Sequence, residues 1–454
     1  MESTVQQEYF ELIRKPSISS DPAHLKDCVD TAMWLKAWVE KLGFTAKLVT
    51  EGFAPPILMA ELQGESPTTV LIYGHYDVQP VDPVELWNTP PFEPTIKDGR
   101  VYCRGSQDDK GQLFALLNGV RDFLDKAKVA GGLKSTPAIP TIKLCLEGQE
   151  ESGSAALMAI AHKYRKELAA NVLLVCDTNC AADMQPAIVA GLRGVSHFTV
   201  KLTGPNRDLH SGEYGGIAPN PARGIAELVA SMFDKDGKIA VPGFMDGIEY
   251  PSEEELRLSG AKDSLKAVPT SSDTLQGVIK ADIGCEPVGG VMENSFLPTI
   301  EVNGIHSGFG GAGSKTIIPA EAFSKISMRL VPGQTPKQAF QSVKAHLEAH
   351  CPKGMTISFP EQCDGAGGFR LPVNSPIFRL ASDVLKEMDE RGAVFQWDGA
   401  SIPVVSVLAE VSGAAPLIVG WGQPEDRIHS PNESYGLNQF AKARDWGRRI
   451  LEAL

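Results

Sequence analysis

Two adjacent carboxylates, Glu150 and Glu151, lie in the segment 147–154, directly after an apolar run at 141–146 that is typical of a β-strand. Successive side chains of an extended chain point to opposite faces, so these two acids can serve different purposes. One can bind a metal ion while the other moves protons, which is the division of labour that a metal-dependent hydrolase needs. A pair of acids that stabilises a helix start is the alternative that this segment alone leaves open.

Histidines and aspartates also occur in four other segments, each of which follows an apolar run or contains a glycine turn. These segments are 75–77, 104–111, 175–177 and 428–430. In open α/β sheets, ligands bind at the carboxyl ends of strands, where residues far apart in sequence converge. The segments supply histidine nitrogens and carboxylate oxygens without a thiolate, and this donor set suits Zn²⁺, Co²⁺ or Mn²⁺.

Five of these residues can hold two metal ions if one carboxylate is shared. Asp77 lies two residues after His75, so both side chains face the same side of an extended chain, and Asp77 would orient the imidazole. Glu150 then remains free to act as the general base. The expected ligands are His75 and Asp177 for one ion, Glu151 and His429 for the other, and Asp108 as the bridge.

Strand-like and helical patterns alternate over the first 190 or so residues, which predicts an α/β architecture with a mostly parallel central sheet. Helical spacing occurs near 4–15, 23–42, 110–126 and 154–168, and strand-like runs occur at 47–49, 57–60, 70–74, 141–146 and 172–175.

The pattern changes after Gly191 and predicts an α+β insertion with its own sheet and two helices. Its expected strands are 197–202, 326–330 and 355–359, and its expected helices lie near 221–233 and 336–350. A glycine-rich segment, 364–368, reads as the return linker, and a buried strand at 416–420 resumes the α/β pattern. We therefore expect a catalytic domain of residues 1–192 and 366–454, and an inserted domain of residues 193–365.

Composition restricts the possible partners and the location. The 454 residues carry a net charge of -13 without a dense basic run, so nucleic acid and anionic membranes are not expected as partners. The first residues lack the pattern of a signal peptide, and no apolar run is long enough to span a membrane. The eight cysteines are scattered, which suits reduced thiols in a cytoplasmic protein.

Taken together, the motifs resemble the M20 family of metallopeptidases, and most closely its branch of the cytosolic nonspecific dipeptidase and carnosinase. The similarity runs nearly end to end and is carried by residues 73–80, 104–111, 147–154, 208–212, 328–333 and 401–404. It implies cleavage of the amide bond of dipeptides with Glu150 as general base. It also implies two divalent ions per chain, with zinc as the first choice and manganese or cobalt as alternatives.

The same resemblance implies that the insertion is a lid that closes over the substrate and joins two chains in a homodimer. In that case His210 would stabilise the oxyanion, and the sequence leaves open whether it acts in its own chain or across the dimer. Arg329 would pair with the substrate carboxylate. Thr316, Gly399 and Ser401 would contact the substrate main chain.

Three other functions stay open at this point. N-acyl amino-acid deacylases and C-terminal exopeptidases of the family share the ligand set, so these motifs do not separate them from dipeptidases. An inactive binding or scaffold homologue would be expected to have lost a ligand or the base, whereas all five ligand candidates and Glu150 are present.

Overall fold

The computed structural model describes residues 1–129, 138–259, 290, 292–399 and 401–454. The strands of these ranges are β1 Thr45–Val49, β2 Ile57–Leu62, β3 Thr69–His75, β4 Thr95–Lys97, β5 Arg100–Tyr102, β6 Thr141–Glu147, β7 Val172–Val175, β8 Ala187–Leu192, β9 Gly194–Thr203, β10 Leu209–His210, β11 Thr299–Ser307, β12 Ile317–Ile318, β13 Glu321–Leu330, β14 Thr356–Ala366, β15 Phe369–Arg370, β16 Val394–Asp398, β17 Ala415–Ile418 and β18 Ser434–Gly436. The α-helices are α1 Ser3–Ile13, α2 Leu25–Lys41, α3 Lys110–Val129, α4 Ala155–Ile160, α5 Arg165–Leu168, α6 Ser211–Tyr214, α7 Pro221–Ala230, α8 Glu253–Leu258, α9 Pro336–Ala349, α10 Pro376–Met388, α11 Pro403–Ser412 and α12 Leu437–Ala453.

The central sheet has the strand order β1-β2-β6-β3-β7-β17-β8-β15, and β16 pairs with β8. The middle strands β6, β3, β7 and β17 run parallel to one another, and antiparallel strands flank them. Their carboxyl ends therefore meet at one edge of the sheet, as the predicted α/β fold requires. Three of the predicted site segments leave the sheet at that edge, after β3, β6 and β7.

Helices cover both faces of the central sheet and enclose two apolar cores. Helices α1, α2, α3, α10 and α12 pack on one face, around side chains such as Phe114 and Trp446. Helices α4 and α11 pack on the other face, around Leu157 and Leu408. A parallel sheet that is buried on both faces needs nearly continuous apolar strands, and β3 and β7 have such sequences.

The continuous helix predicted at 154–168 is wrong. Helix α4 ends at Ile160, residues Ala161–Tyr164 form a 3₁₀ turn, and α5 follows. Tyr164 leaves the helical dihedral angles, with φ -101° and ψ 22°, and separates the 3₁₀ turn from α5.

The predicted insertion has its own antiparallel sheet, with the strand order β11-β13-β9-β14. Helices α7 and α9 pack on it around Phe198, Leu228 and Phe340. The sequence did not indicate β11, because this edge strand is mostly exposed and carries little apolar periodicity. The predicted linker at 364–368 is shorter than expected, since β14 continues to Ala366.

A small three-stranded sheet, β18-β5-β4, joins the end of the chain to its first third. Ser434 in β18 is paired with Tyr102 in β5, and the backbone nitrogen of Cys103 donates to the carbonyl oxygen of Glu433 over 3.1 Å. This pairing places the loop after residue 427 against the loop 104–109. Among the described helices, none is both long and apolar enough to cross a membrane.

Candidate metal centre

Asp108 lies between two imidazole rings. Its Oδ1 atom is 3.2 Å from Nε2 of His75, and its Oδ2 atom is 2.9 Å from Nε2 of His429. Each carboxylate oxygen therefore faces a different histidine. This is the arrangement that a carboxylate needs to be shared by two metal ions.

The two remaining predicted ligands each lie beside one of these histidines. Oδ2 of Asp177 is 3.7 Å from Nε2 of His75, and Oε2 of Glu151 is 3.2 Å from Nε2 of His429. The structure thus brings all five predicted ligands together. Within the described ranges, the potential metal-binding atoms that lie within 4.8 Å of one another form two groups: His75, Asp109 and Asp177, and Asp108, Glu151 and His429.

Asp109 is a member of the first group to which the sequence assigned no function. Its Oδ2 atom accepts a hydrogen bond from the backbone nitrogen of His75 over 3.2 Å. Burial raises the pKa of Asp109 well above its usual value, and the charge of Asp177 adds to the effect. The sequence signal for Asp109 is its position next to Asp108, the expected bridging ligand.

The charge of the cluster fits divalent cations. Three buried or nearly buried carboxylates, those of Asp108, Glu151 and Asp177, lie close together beside two imidazoles. Burial raises the pKa of Asp177, and the hydrogen bonds that His429 donates to the carboxylates of Asp108 and Glu151 raise the pKa of His429 to about 10. Such crowding of like charges is costly unless a cation offsets it. Nitrogen and oxygen donors without thiolates suit zinc and its neighbours.

Asp77 organises the surroundings of both groups from a fully buried position. Its Oδ1 atom is 3.3 Å from Nδ1 of His75, as expected for a carboxylate that orients this ring. The same carboxylate accepts the backbone N–H groups of Glu150 and Glu151 over 3.2 and 3.0 Å. One side chain therefore fixes both a histidine and the turn that carries the two glutamates.

Glu150 lies on this turn and is half-buried. Burial raises its pKa to about 7; the charge of His75 opposes the shift, and the charges of Glu151 and Asp108 add to it. A carboxyl group whose pKa is close to neutrality can both accept and return a proton near pH 7.

Two supporting residues were not predicted from the sequence. Gln79 donates from Nε2 to Oε2 of Glu151 over 2.8 Å, the oxygen that also faces His429. Glu433 is fully buried and accepts a hydrogen bond from the backbone nitrogen of Asp108. Gln79 lies inside the motif at 73–80 and could have been found there, whereas Glu433 had no signal of its own.

The loop that carries His429 has an unusual backbone. Arg427, His429 and Asn432 have φ values of 57°, 58° and 67°, in the left-handed region that residues other than glycine seldom adopt. Such conformations are concentrated at functional sites, where the surroundings hold them in place.

His210 and the residues assigned to substrate binding form two separate groups. Nη1 of Arg329 donates to Oγ of Ser401 over 2.9 Å, and Gly399 precedes Ser401 by two residues in the sequence. His210 is exposed on β10, opposite Ile317, and the neighbouring Ser211 nitrogen donates to the carbonyl oxygen of Thr316 over 3.0 Å. Within the described residues, no hydrogen bond or ion pair joins His210 to the five candidate ligands.

Known proteins resemble this chain over most of its length. It is 29% identical to the Cys-Gly metallodipeptidase DUG1 of Saccharomyces cerevisiae over 94% of this chain and 90% of that protein. It is also 29% identical to the human Beta-Ala-His dipeptidase, over 89% and 79% of the two chains. Among solved structures, the M20 family metallo-carboxypeptidase Sso-CP2 from Sulfolobus solfataricus matches with a TM-score of 0.83 and 28% identity, over 100% of this chain and 99% of that chain. The dipeptidase Dug1p from Saccharomyces cerevisiae matches with a TM-score of 0.76 and 25% identity, over 99% and 95%.

A family model settles the resemblance that the sequence motifs suggested. The model for peptidase family M20/M25/M40 matches residues 71–453, which include every candidate ligand and the Glu150 turn. The dipeptidases among the relatives place the similarity in the predicted branch. The chain is a metallopeptidase that belongs to peptidase family M20/M25/M40.

Proposed function

We propose that this metallopeptidase is a dipeptidase with two metal ions in each chain. The observation that carries the proposal is the position of Asp108, whose two oxygens face His75 and His429 separately. The relatives named as Cys-Gly and Beta-Ala-His dipeptidases support dipeptides as the substrate class.

The five clustered side chains would hold the ions in two sets that share Asp108. His75 and Asp177 belong to one set, and Glu151 and His429 to the other. Divalent cations, zinc in the first place and manganese or cobalt as alternatives, lower the pKa of water and polarise a carbonyl group when bound. Asp77 and Gln79 would keep His75 and Glu151 in their orientations.

Glu150 would carry out the proton transfers of the reaction. Its carboxylate takes a proton from the attacking water and later delivers that proton to the nitrogen of the leaving amine. A pKa raised by burial to about 7 supports both steps at neutral pH. The backbone hydrogen bond from Glu150 to Asp77 holds the turn in place during this exchange.

Residues of the insertion, together with Gly399 and Ser401 of the catalytic domain, would bind and enclose the substrate. Arg329, oriented by Ser401, would pair with the carboxylate of the dipeptide, and the turn at Gly399 would contact its main chain. We further propose that residues 193–365 form a lid through which two chains dimerise. His210 and Thr316 lie together on an exposed ribbon without a contact to their own chain's described ligands, which favours their action in the site of a second copy.

A cytoplasmic location completes the proposal. It is supported by the free thiols of Cys28, Cys103, Cys145, Cys176 and Cys180, all of which are buried.

A second activity, removal of a C-terminal residue from longer peptides, is favoured by the similarity to the Sulfolobus solfataricus metallo-carboxypeptidase. N-acyl amino-acid deacylation would use the same ligands, and no contact of the described residues favours it over dipeptide hydrolysis.

A substrate panel tests the proposed function directly. Metal-free protein is loaded with Zn²⁺, Mn²⁺ or Co²⁺ and given free dipeptides, N-acyl amino acids and tetrapeptides. We expect the highest kcat/KM on dipeptides, and no turnover by the metal-free protein. Faster hydrolysis of tetrapeptides would support the carboxypeptidase function instead, and faster release of N-acyl groups would support the deacylase.

A further inference from the structure

A second arginine, Arg193, approaches the turn that Arg329 contacts. Arg193 precedes β9, and its Nε atom donates to the carbonyl oxygen of Gly399 over 3.0 Å. Arg329 contacts Ser401, two residues further on. The strand register pairs Arg329 with Val195, two residues after Arg193, so both arginines lie near the start of β9. Two guanidinium groups therefore converge on one short turn.

Arg193 is buried, and its hydrogen bonds go to backbone carbonyl groups. Only 8% of its surface is exposed, and its Nη1 atom donates to the carbonyl oxygens of Glu293 and Leu297, both over 3.3 Å. Neither Arg193 nor Arg329 forms an ion pair with a carboxylate of the described residues. A buried cation that has only dipolar partners is costly for a folded protein, and this cost is offset when an anion binds nearby.

The electrostatics show that the charges of Arg193 and Arg329 act on each other, with Glu301 and Asp398 as the nearby carboxylates. Burial lowers the pKa of Arg193 to about 10; the charge of Arg329 adds to this shift, and the charges of Glu301 and Asp398 oppose it. Arg193 still carries a full charge near pH 7, so the turn faces the field of two guanidinium groups.

The turn itself is held closely against the insertion. A Cβ atom at Gly399 would lie 2.6 Å from Oδ1 and 2.7 Å from the carbonyl oxygen of Asn294. Arg193 links the two sides of this contact, because it bonds to Gly399 on one side and to Glu293 and Leu297 on the other. The charge of Arg193 and its hydrogen bonds therefore both act at the contact between Gly399 and the insertion.

We propose that Arg193 is a specificity-determining residue, which makes the site require a negatively charged carboxylate on the C-terminal residue of the substrate. Arg329 is the group that pairs with this carboxylate. Arg193 does not contact the substrate; it adds a second positive charge near Arg329 and positions Gly399 through its hydrogen bond. This inference rests on the proposed dipeptidase function, since it concerns the same site.

The test compares the binding of a dipeptide, Ala-Gly, with that of its C-terminal amide, which lacks the negative charge. Metal-loaded protein with Glu150→Gln is used, so that the ligands bind without turnover, and dissociation constants are measured by calorimetry. We expect this parent to favour the free dipeptide over the amide. Adding Arg193→Met should reduce that preference about tenfold, the size of effect expected for one nearby charge, with amide binding changed less than about twofold.

Two matched variants separate charge from structure. Arg193→Lys keeps the charge and should retain most of the preference. Arg370 is also a partly buried arginine beside the insertion, but it is paired with Glu255 over 3.2 Å, so Arg370→Met should leave the preference unchanged.

Each other outcome has a definite meaning. If Arg193→Met lowers the affinity for the dipeptide and for its amide equally, Arg193 only anchors Gly399, and the inference is overturned. An unchanged preference for the dipeptide would overturn it as well. If the wild-type chain hydrolyses dipeptides and the preference does not change, the inference fails alone. If the wild-type chain hydrolyses no dipeptide, the proposed function fails. A parent that binds neither ligand overturns the inference, whereas the function is still decided by hydrolysis in the wild-type chain.

Discussion

The Oε1 atom of Glu433 accepts a hydrogen bond from the backbone nitrogen of Asp108 over 3.1 Å. The same carboxylate accepts the backbone N–H groups of Gln107 and Gly105, both over 2.9 Å, and the guanidinium of Arg104 over 2.8 Å. A single buried acid from the C-terminal part of the chain therefore holds the loop that carries the candidate bridging carboxylate.

Replacement of Glu433 by glutamine should destabilise the protein and weaken metal binding. The amide offers one acceptor oxygen in place of two, and Arg104 is left as a buried charge without its partner. Loss of one partner of a buried ion pair costs roughly 3–5 kcal/mol, so the free energy of unfolding of the metal-free protein should fall by about this amount in urea. Glu93→Gln is the control, because its ion pair with Arg14 is exposed to solvent and should contribute little to stability. Equal stability of the two variants would contradict this role of Glu433.

Glu150→Gln should retain the fold and the metal but lose turnover. A positioned general base contributes a factor of roughly 10²–10⁴ to the rate, so kcat should fall by at least this factor. Glu151→Gln should instead weaken metal binding, because Glu151 lies 3.2 Å from His429 in the second ligand group. Steady-state kinetics and metal analysis of both variants separate the two roles.

Glu147→Gln provides the control within the same segment. Glu147 is buried, and its Oε1 atom accepts hydrogen bonds from Tyr73 and Ser154 over 2.8 and 2.9 Å. A glutamine oxygen can accept the same two bonds, so this variant should keep most of its activity. Near-full turnover by Glu150→Gln, or an equal loss in Glu147→Gln, would contradict the assignment of the base.

The positions of the candidate ligands were predictable from the sequence, whereas the residues that hold them through hydrogen bonds were not. His75 and Asp177 follow apolar runs that became parallel strands, and the carboxyl ends of such strands share one edge of a sheet. Glu433 and Asp108 are 325 residues apart, and no local pattern shows that an acid will accept backbone N–H groups of so distant a loop. Arg193 was missed for the same reason, since its acceptors are carbonyl oxygens that every residue possesses.

If each active site uses residues of both chains of a dimer, two inactive variants should complement each other. If His210 acts in the site of the partner chain, a dimer of one His210→Ala chain and one Glu150→Gln chain has one site with both lesions and one site with neither. Subunit exchange between these two inactive proteins should therefore restore activity, up to about half of the wild-type value per mixed dimer. The measurement is the rate of dipeptide hydrolysis after mixing.

The control for this experiment is a mixture of each variant with itself, which should stay inactive. If His210 closes on its own chain, every site in the mixed dimer keeps one lesion, and no activity returns. A fully active monomer, identified by light scattering, would also contradict the proposed dimeric site.

Metal stoichiometry tests the central claim most directly. Calorimetric titration and elemental analysis of the metal-free wild-type chain should give two equivalents of Zn²⁺. Asp108→Ala should weaken both sites, because its two oxygens face His75 and His429 separately, whereas Asp177→Ala should weaken only the site at His75. A single equivalent in the wild-type chain, or two intact sites in Asp108→Ala, would contradict a shared binuclear centre.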